Sequence, residues 1–214
     1  MATRVRRPSQ RYAASQVRCC PQECFSSSHV SEMNQEIEFR LPCVDDGAAI
    51  WRIVRDSGVL DLNSSYLYLL LCKDFADTCI VARMDDRLVG FATGYRPPSR
   101  DDVIFLWQIG VDARLRGQGL GRRLLAHFLS TPGAVDATYL ETTIAPSNQP
   151  SQRLFRGLAR DLGVACQTAP CFDESHFPGS HEAEHLYRIG PFDAASRRLL
   201  AAATNCTRRN HDPS

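Results

Sequence analysis

"ARLRGQGLGRRLL", residues 113–125, sets Gly117, Gly119 and Gly121 on alternate positions, flanks them with arginines and runs on into leucines. Glycine lets backbone N–H groups converge where a Cβ would collide, and a helix start adds unpaired donors and a partial positive charge. Together they suit phosphate. Two phosphate loops fail on spacing. A Walker A loop ends in Gly-Lys-Ser/Thr, whereas the single lysine of this chain is Lys73. The dinucleotide fingerprint Gly-x-Gly-x-x-Gly finds no third glycine at the required offset in Gly117-Gln118-Gly119-Leu120-Gly121.

Outward from that turn, the hydrophobic period switches repeatedly. "VIFLWQIGV", residues 103–111, is a nearly continuous apolar strand running straight into the glycines, and Leu120, Leu124, Leu125, Phe128 and Leu129 after them form one helical face. "EIEFRL" alternates as a strand, and Ala48 to Val54 suits a helix after an Asp45-Asp46 start. "TCIVARM" and "RLVGFATGY" are β-rich runs joined at Asp85-Asp86, which predicts a hairpin. "TYLETTIA" predicts another buried strand, Asn148 to Gly163 a helix through Leu154, Phe155, Leu158 and Leu162, and "EHLYRI" a last alternating strand.

Composition narrows the class. Twenty-five basic against 24 acidic residues give a net charge of +1, which argues against a nucleic-acid binder and points to a small-molecule partner. The longest apolar candidate, "YLYLLLC" at 66–72, is far short of a membrane span. Nine cysteines without paired Cys-x-x-Cys spacing point to a reducing cytoplasm rather than to a disulfide framework or a zinc site, so no metal is expected. Residues 1–34, with five arginines against Glu23 and Glu32 and many serines, read as a disordered tail. Its composition resembles a transit peptide, and Met33 offers an alternative start. Residues 35–192 then form the one catalytic domain, and 193–214 a second frayed tail.

Arg116-Gly117-Gln118-Gly119-Leu120-Gly121, following the fourth strand of a β-α-α-β-β-β-α-β-α-β(-β) order, resembles the Arg/Gln-x-x-Gly-x-Gly/Ala pyrophosphate loop of the Gcn5-related N-acetyltransferases. The resemblance implies the α/β (α+β) acyl-CoA N-acyltransferase fold, a mixed, mostly antiparallel sheet of six to seven strands flanked by helices, with acetyl-CoA as co-substrate. It also implies that backbone near Ile109 and Val111 pairs with the pantetheine arm. Amides from Arg116 through Gly117, Gln118, Gly119 and Gly121 to Arg122 would hold the pyrophosphate, Arg116 and Arg122 would add charge, and Asn148 would lie beside the arm. Many relatives carry a tyrosine where this chain has Phe155, so the departing thiolate needs another proton donor; Tyr66 is one candidate, and Phe155 reads as core.

"LDLNSSYLYLLLCKDFADTCIVA" (60–82), "FLWQIGVD" (105–112), "LETTIAPSNQPSQRLF" (140–155) and "SHEAEHLYRI" (180–189) are similar to the L-2,4-diaminobutyrate acetyltransferases of ectoine synthesis, over about residues 35–192. That subfamily implies a homodimer and an acceptor, L-2,4-diaminobutanoate, with two amines and one carboxylate. Such a cation needs carboxylates in the cleft: Asp61 and Glu182 are the first candidates, one as anchor and the other as base in either order, with Glu141 a third and His181 beside them. Trp107 either walls the substrate channel or packs in the core. His181-Glu182-Ala183-Glu184-His185 also matches the zinc-peptidase pattern His-Glu-x-x-His, which works only on a helix; Pro178-Gly179 before it and strand alternation after it leave little room for one.

Overall fold

A computed structural model describes residues 36–205. The expectations for residues 1–34, the early start among them, lie outside the described residues.

Seven strands form one sheet in the order β1-β2-β3-β4-β5-β7-β6. They are β1 (Ile37–Arg40), β2 (Cys79–Met84), β3 (Arg87–Tyr95), β4 (Val103–Val111), β5 (Tyr139–Ile144), β6 (Cys166–Phe172) and β7 (Glu184–Ile189). Only β4 and β5 run parallel. The β2–β3 hairpin turns at Asp85, whose φ of 53° is the left-handed value a tight turn demands.

Five helices cover the two faces: α1 (Gly47–Ser57), α2 (Ser65–Asp74), α3 (Leu120–Phe128), α4 (Gln149–Leu162) and α5 (Ala194–Asn205). Strand alternation divides the core between them. Cys79, Val81 and Phe91 pack with Ile50 and Val54 of α1 and Tyr68 and Leu71 of α2. Their neighbours Ile80, Ala82 and Ala92 pack with Leu124, Phe128, Phe155 and Leu158 of α3 and α4. Leu124 and Leu125 are fully buried, so truncating either to alanine would cost about 2–5 kcal/mol. Asn148 and Gly163 bound α4 as its caps, the glycine with φ of 68°.

Two regions depart from the sequence reading. Residues 194–205 are helical rather than frayed: Ser196 and Leu200 are buried, Asp193 Oδ1 accepts from the Ser196 amide at 2.8 Å, and Arg197 donates to the carbonyls of Leu129 and Ala137. "AASRRLLAAATN" buries only Ser196 and Leu200, so its apolar period is too shallow to announce a helix face. β6 is an edge strand exposed along nearly its whole length, so "CQTAPCF" has no inside–outside alternation to read, and Pro170 further masks it.

Candidate active site

β4 and β5 pair only through Val103–Phe105 and Tyr139–Glu141; beyond that register they part. The β5-facing edge of β4, with Ile109 and Val111, therefore has no strand partner among the described residues and can accept an extended chain as an added strand. β4 leads into the glycine turn. Gly117 and Gly119 have φ of 78° and 79°, left-handed values that favour glycine. A Cβ built at either meets nothing within 4 Å, so the space over the turn is open. Gly119 is the N-cap of α3, and the Leu120 and Gly121 amides that begin the helix lack intrahelical acceptors.

The loop's side chains brace it. Arg116 Nε donates to the Val111 carbonyl at 3.3 Å and Gln118 Nε2 to the Arg114 carbonyl at 3.1 Å. Arg122 differs from its expected role: its amide donates to the Gly119 carbonyl at 3.1 Å, and its guanidinium pairs with Asp161 of α4 at 2.9 Å. Asn148 caps α4, its Oδ1 accepting from the Ser151 amide at 3.2 Å, so a contact from Asn148 to a bound arm would use Nδ2. Phe155 is buried in the core.

Across the splay, two remote segments meet. Asp61 lies in the α1–α2 connection, His181 in the β6–β7 connection and Glu184 at the start of β7, and their ligand atoms all fall within 4.8 Å of one another. His181 Nε2 is 3.6 Å from Asp61 Oδ2, and its ring stacks on Phe177 with centroids 3.9 Å apart. Its Nδ1 lies 2.6 Å from the Glu182 carbonyl, which fixes Nδ1–H as the donor. That hydrogen bond, helped by the Asp61 charge, raises the His181 pKa above its ordinary value. Two carboxylates and an imidazole can meet an ammonium or a metal ion.

Glu184 was not among the residues singled out in the sequence, and Glu182 was. The carboxylate of Glu182 turns instead to Ser147, accepting from its amide at 3.1 Å, and hydrogen bonds from Ser147 hold its pKa below the ordinary value. The signal for Glu184 was the strand alternation itself: Glu184, Leu186 and Arg188 share one face of β7, opposite Thr143 and Glu141 of β5. Glu141 is corrected as a substrate ligand. It is fully buried and already held by Arg100, at 2.7 and 2.9 Å, and by Arg188, so it ties the β3–β4 connection to β7. His181 precedes a strand and His185 lies within it, so the His-Glu-x-x-His pattern has no helix to work on.

β4 carries a bulge here. Thr93 opposes Gln108 and Gly94 opposes Leu106, leaving Trp107 as the extra residue. Trp107 is 45% exposed, which excludes the core reading and leaves it on the surface beside the splay. Tyr66, in the first turn of α2, is 70% exposed. Gln108 is the second residue the sequence reading missed. It is buried, its Oε1 accepting from Tyr68 Oη at 2.9 Å and its Nε2 donating to the Asp61 carbonyl at 2.8 Å. A lone amide in an otherwise apolar strand was its signal, because a buried polar group must find partners.

A parted pair of parallel strands, an open glycine turn capping a helix and a cluster of Asp61, His181 and Glu184 are the parts of an acyl-CoA-dependent N-acyltransferase. The model of the Acetyltransferase (GNAT) family matches residues 48–159. The chain is 50% identical over 151 residues to the L-2,4-diaminobutyric acid acetyltransferase of Halalkalibacterium halodurans, covering 70% of this chain and 79% of that one. It is 48% identical over 164 residues to the Streptomyces coelicolor protein of the same name, covering 74% and 95%. Among solved structures, it is similar to diaminobutyrate acetyltransferase EctA from Paenibacillus lautus, in complex with L-2,4-diaminobutyric acid and coenzyme A. The TM-score is 0.73 at 36% identity, covering 75% of this chain and 98% of that one. Ard1 from Thermoplasma volcanium, at 20% identity and a TM-score of 0.58 over 72% of this chain and 97% of its own, shares the fold. The chain thus belongs to the GNAT acetyltransferases and, within them, to the L-2,4-diaminobutyric acid acetyltransferase family.

Proposed function

We propose that the protein transfers the acetyl group of acetyl-CoA to the 4-amino group of L-2,4-diaminobutanoate, giving N4-acetyl-L-2,4-diaminobutanoate for ectoine synthesis. The observation that carries this reading is the convergence of Asp61, His181 and Glu184, in a chain of this family that also carries an open glycine turn. A diammonium acceptor needs fixed negative charge at one end and a proton acceptor at the other. Asp61 anchors the α-ammonium. Glu184, with His181, draws the proton from the γ-ammonium, so that the neutral amine can attack the thioester carbon. As the carbon–sulfur bond breaks, the thiolate takes a proton from Tyr66, from water or from the ammonium created by the attack.

The co-substrate fits the residues present. Amides of Gly117 to Gly121 and the Arg116 charge hold the pyrophosphate, the free edge of β4 at Ile109 and Val111 takes the pantetheine arm, and Asn148 lies beside it. Trp107 walls the acceptor channel. Glu182 supports the site through Ser147, next to Asn148. The protein acts as a cytoplasmic homodimer in osmotic-stress protection; in keeping with a soluble enzyme, no helix among the described residues is long and apolar enough to cross a membrane.

The test is a panel of amines supplied with acetyl-CoA, with product regiochemistry read by NMR. Diaminobutanoate should be acetylated at N4 with the highest kcat/KM. Preference for another diamine or a protein amine would assign the same fold a different acceptor.

A further inference from the structure

Gln108 is placed where the acceptor site is least supported. Asp61 lies in the irregular stretch between α1 and α2, its side chain 77% exposed, and no helix or strand fixes its backbone. A carboxylate so placed would swing unless its main chain were held. Gln108 supplies that hold from the rigid centre of the sheet, donating Nε2–H to the Asp61 carbonyl at 2.8 Å.

The bulge makes this possible. In a regular strand Leu106 and Gln108 would share a face. Leu106 packs in the core with Leu124 and Phe128 of α3, whereas Gln108 reaches Tyr68 of α2, because Trp107 is inserted between them without a partner on β3. One inserted residue therefore turns an amide out of the α3 side and under the Asp61 segment.

The orientation of that amide is also determined. The Tyr68 phenol is buried, and burial raises its pKa, so it stays protonated and donates. With Oε1 taken by Tyr68 Oη, Nε2 must face the Asp61 carbonyl; the flipped amide would set oxygen against oxygen.

We infer that Gln108 is a positioning residue for acceptor recognition, holding the Asp61 backbone so that its carboxylate stays in register with His181 and Glu184. The inference rests on the reading of that trio as the acceptor site.

The experiment is a double-mutant cycle on the full-length enzyme, reading KM and kcat for diaminobutanoate at saturating acetyl-CoA and CoA affinity by calorimetry. Gln108→Leu should raise the acceptor KM by about 10-fold or more and leave CoA affinity within about 2-fold. Gln108→Glu, the isostere that loses the donor, should do the same, and it carries the test should the leucine variant not fold. Tyr68→Phe keeps the donor to Asp61 and should raise KM by less than about 3-fold. In an Asp61→Asn background, Gln108→Leu should add less than about 2-fold, since it acts through Asp61. A silent Gln108, an effect that multiplies with that of Asp61→Asn, or an equal loss of CoA affinity overturns the inference while leaving the site standing. An Asp61→Asn enzyme with native KM overturns the acceptor-site reading and this inference with it.

Discussion

The two ends of the cleft are built from different materials. The end proposed for the cofactor is local and made of backbone: one turn, Arg116 to Arg122, brings its own donors and its own open space, with left-handed glycines at Gly117 and Gly119. The acceptor end is remote and made of side chains. Asp61, Gln108 and the His181–Glu184 stretch come from three segments far apart in the chain and are adjacent only because the sheet orders its strands as it does. A backbone site tolerates change in most side chains, while a side-chain site fails with any one member.

The largest expected effect breaks the cofactor end. Gly119→Asp places a negative charge at the N-cap of α3 where the pyrophosphate should lie, and nothing within 4 Å obstructs its side chain, so the protein should fold. Aspartate is among the residues that tolerate the left-handed region, at a cost of about 1 kcal/mol. CoA affinity should fall by about 1,000-fold, or about 4 kcal/mol, by calorimetry. Native affinity in the folded variant would remove the turn from the mechanism.

The next effect separates two neighbouring carboxylates. Glu184→Gln should lower turnover with diaminobutanoate by about 100-fold at unchanged CoA affinity, the lower end of a general-base contribution. Glu182→Gln, whose carboxylate bonds Ser147, should change it by less than about 5-fold. The opposite order would return the base to Glu182.

A pH profile sharpens the acceptor end further. The His181 pKa is raised from 6.5, so the imidazole stays charged, and unable to take a proton, until the pH passes that higher value. The acceptor kcat/KM should therefore rise with pH through a midpoint above 6.5, and His181→Asn should displace that limb without altering CoA affinity. An unmoved limb would assign the titration to another group.

The smallest effect lies between the two ends, on α4. Phe155 is buried, so Phe155→Tyr should cost about 1–3 kcal/mol through a hydroxyl without a partner, read as a lower Tm, with no gain in rate. Faster turnover would mean that a proton donor was missing at this position.

How much of this was legible follows the same division. β4 over Val103–Val111 and α4 between Asn148 and Gly163 stand where the hydrophobic period and the caps put them, because each is specified by contiguous residues. β6 and α5 were not legible: the first is exposed, and the second buries only Ser196 and Leu200, so neither displays a contrast. At the proposed site, motif resemblance points to Asp61 and His181 but also to Glu182 and Glu141, and it passes over Glu184, which the fold brings beside the first two. The sequence neighbours of Glu141 do not reveal that Arg100 and Arg188 already hold it.

The sequence by itself determined the phosphate turn, the order of strands and helices, and the family, since glycine conformation, hydrophobic period and capping act within a few residues of one another. Only the tertiary structure decided that Glu184 rather than Glu182 lies with Asp61 and His181, and that Gln108 stands beneath Asp61. Those contacts depend on a strand splay and a one-residue bulge, whose effect is to set the distance and facing of groups dozens of positions apart.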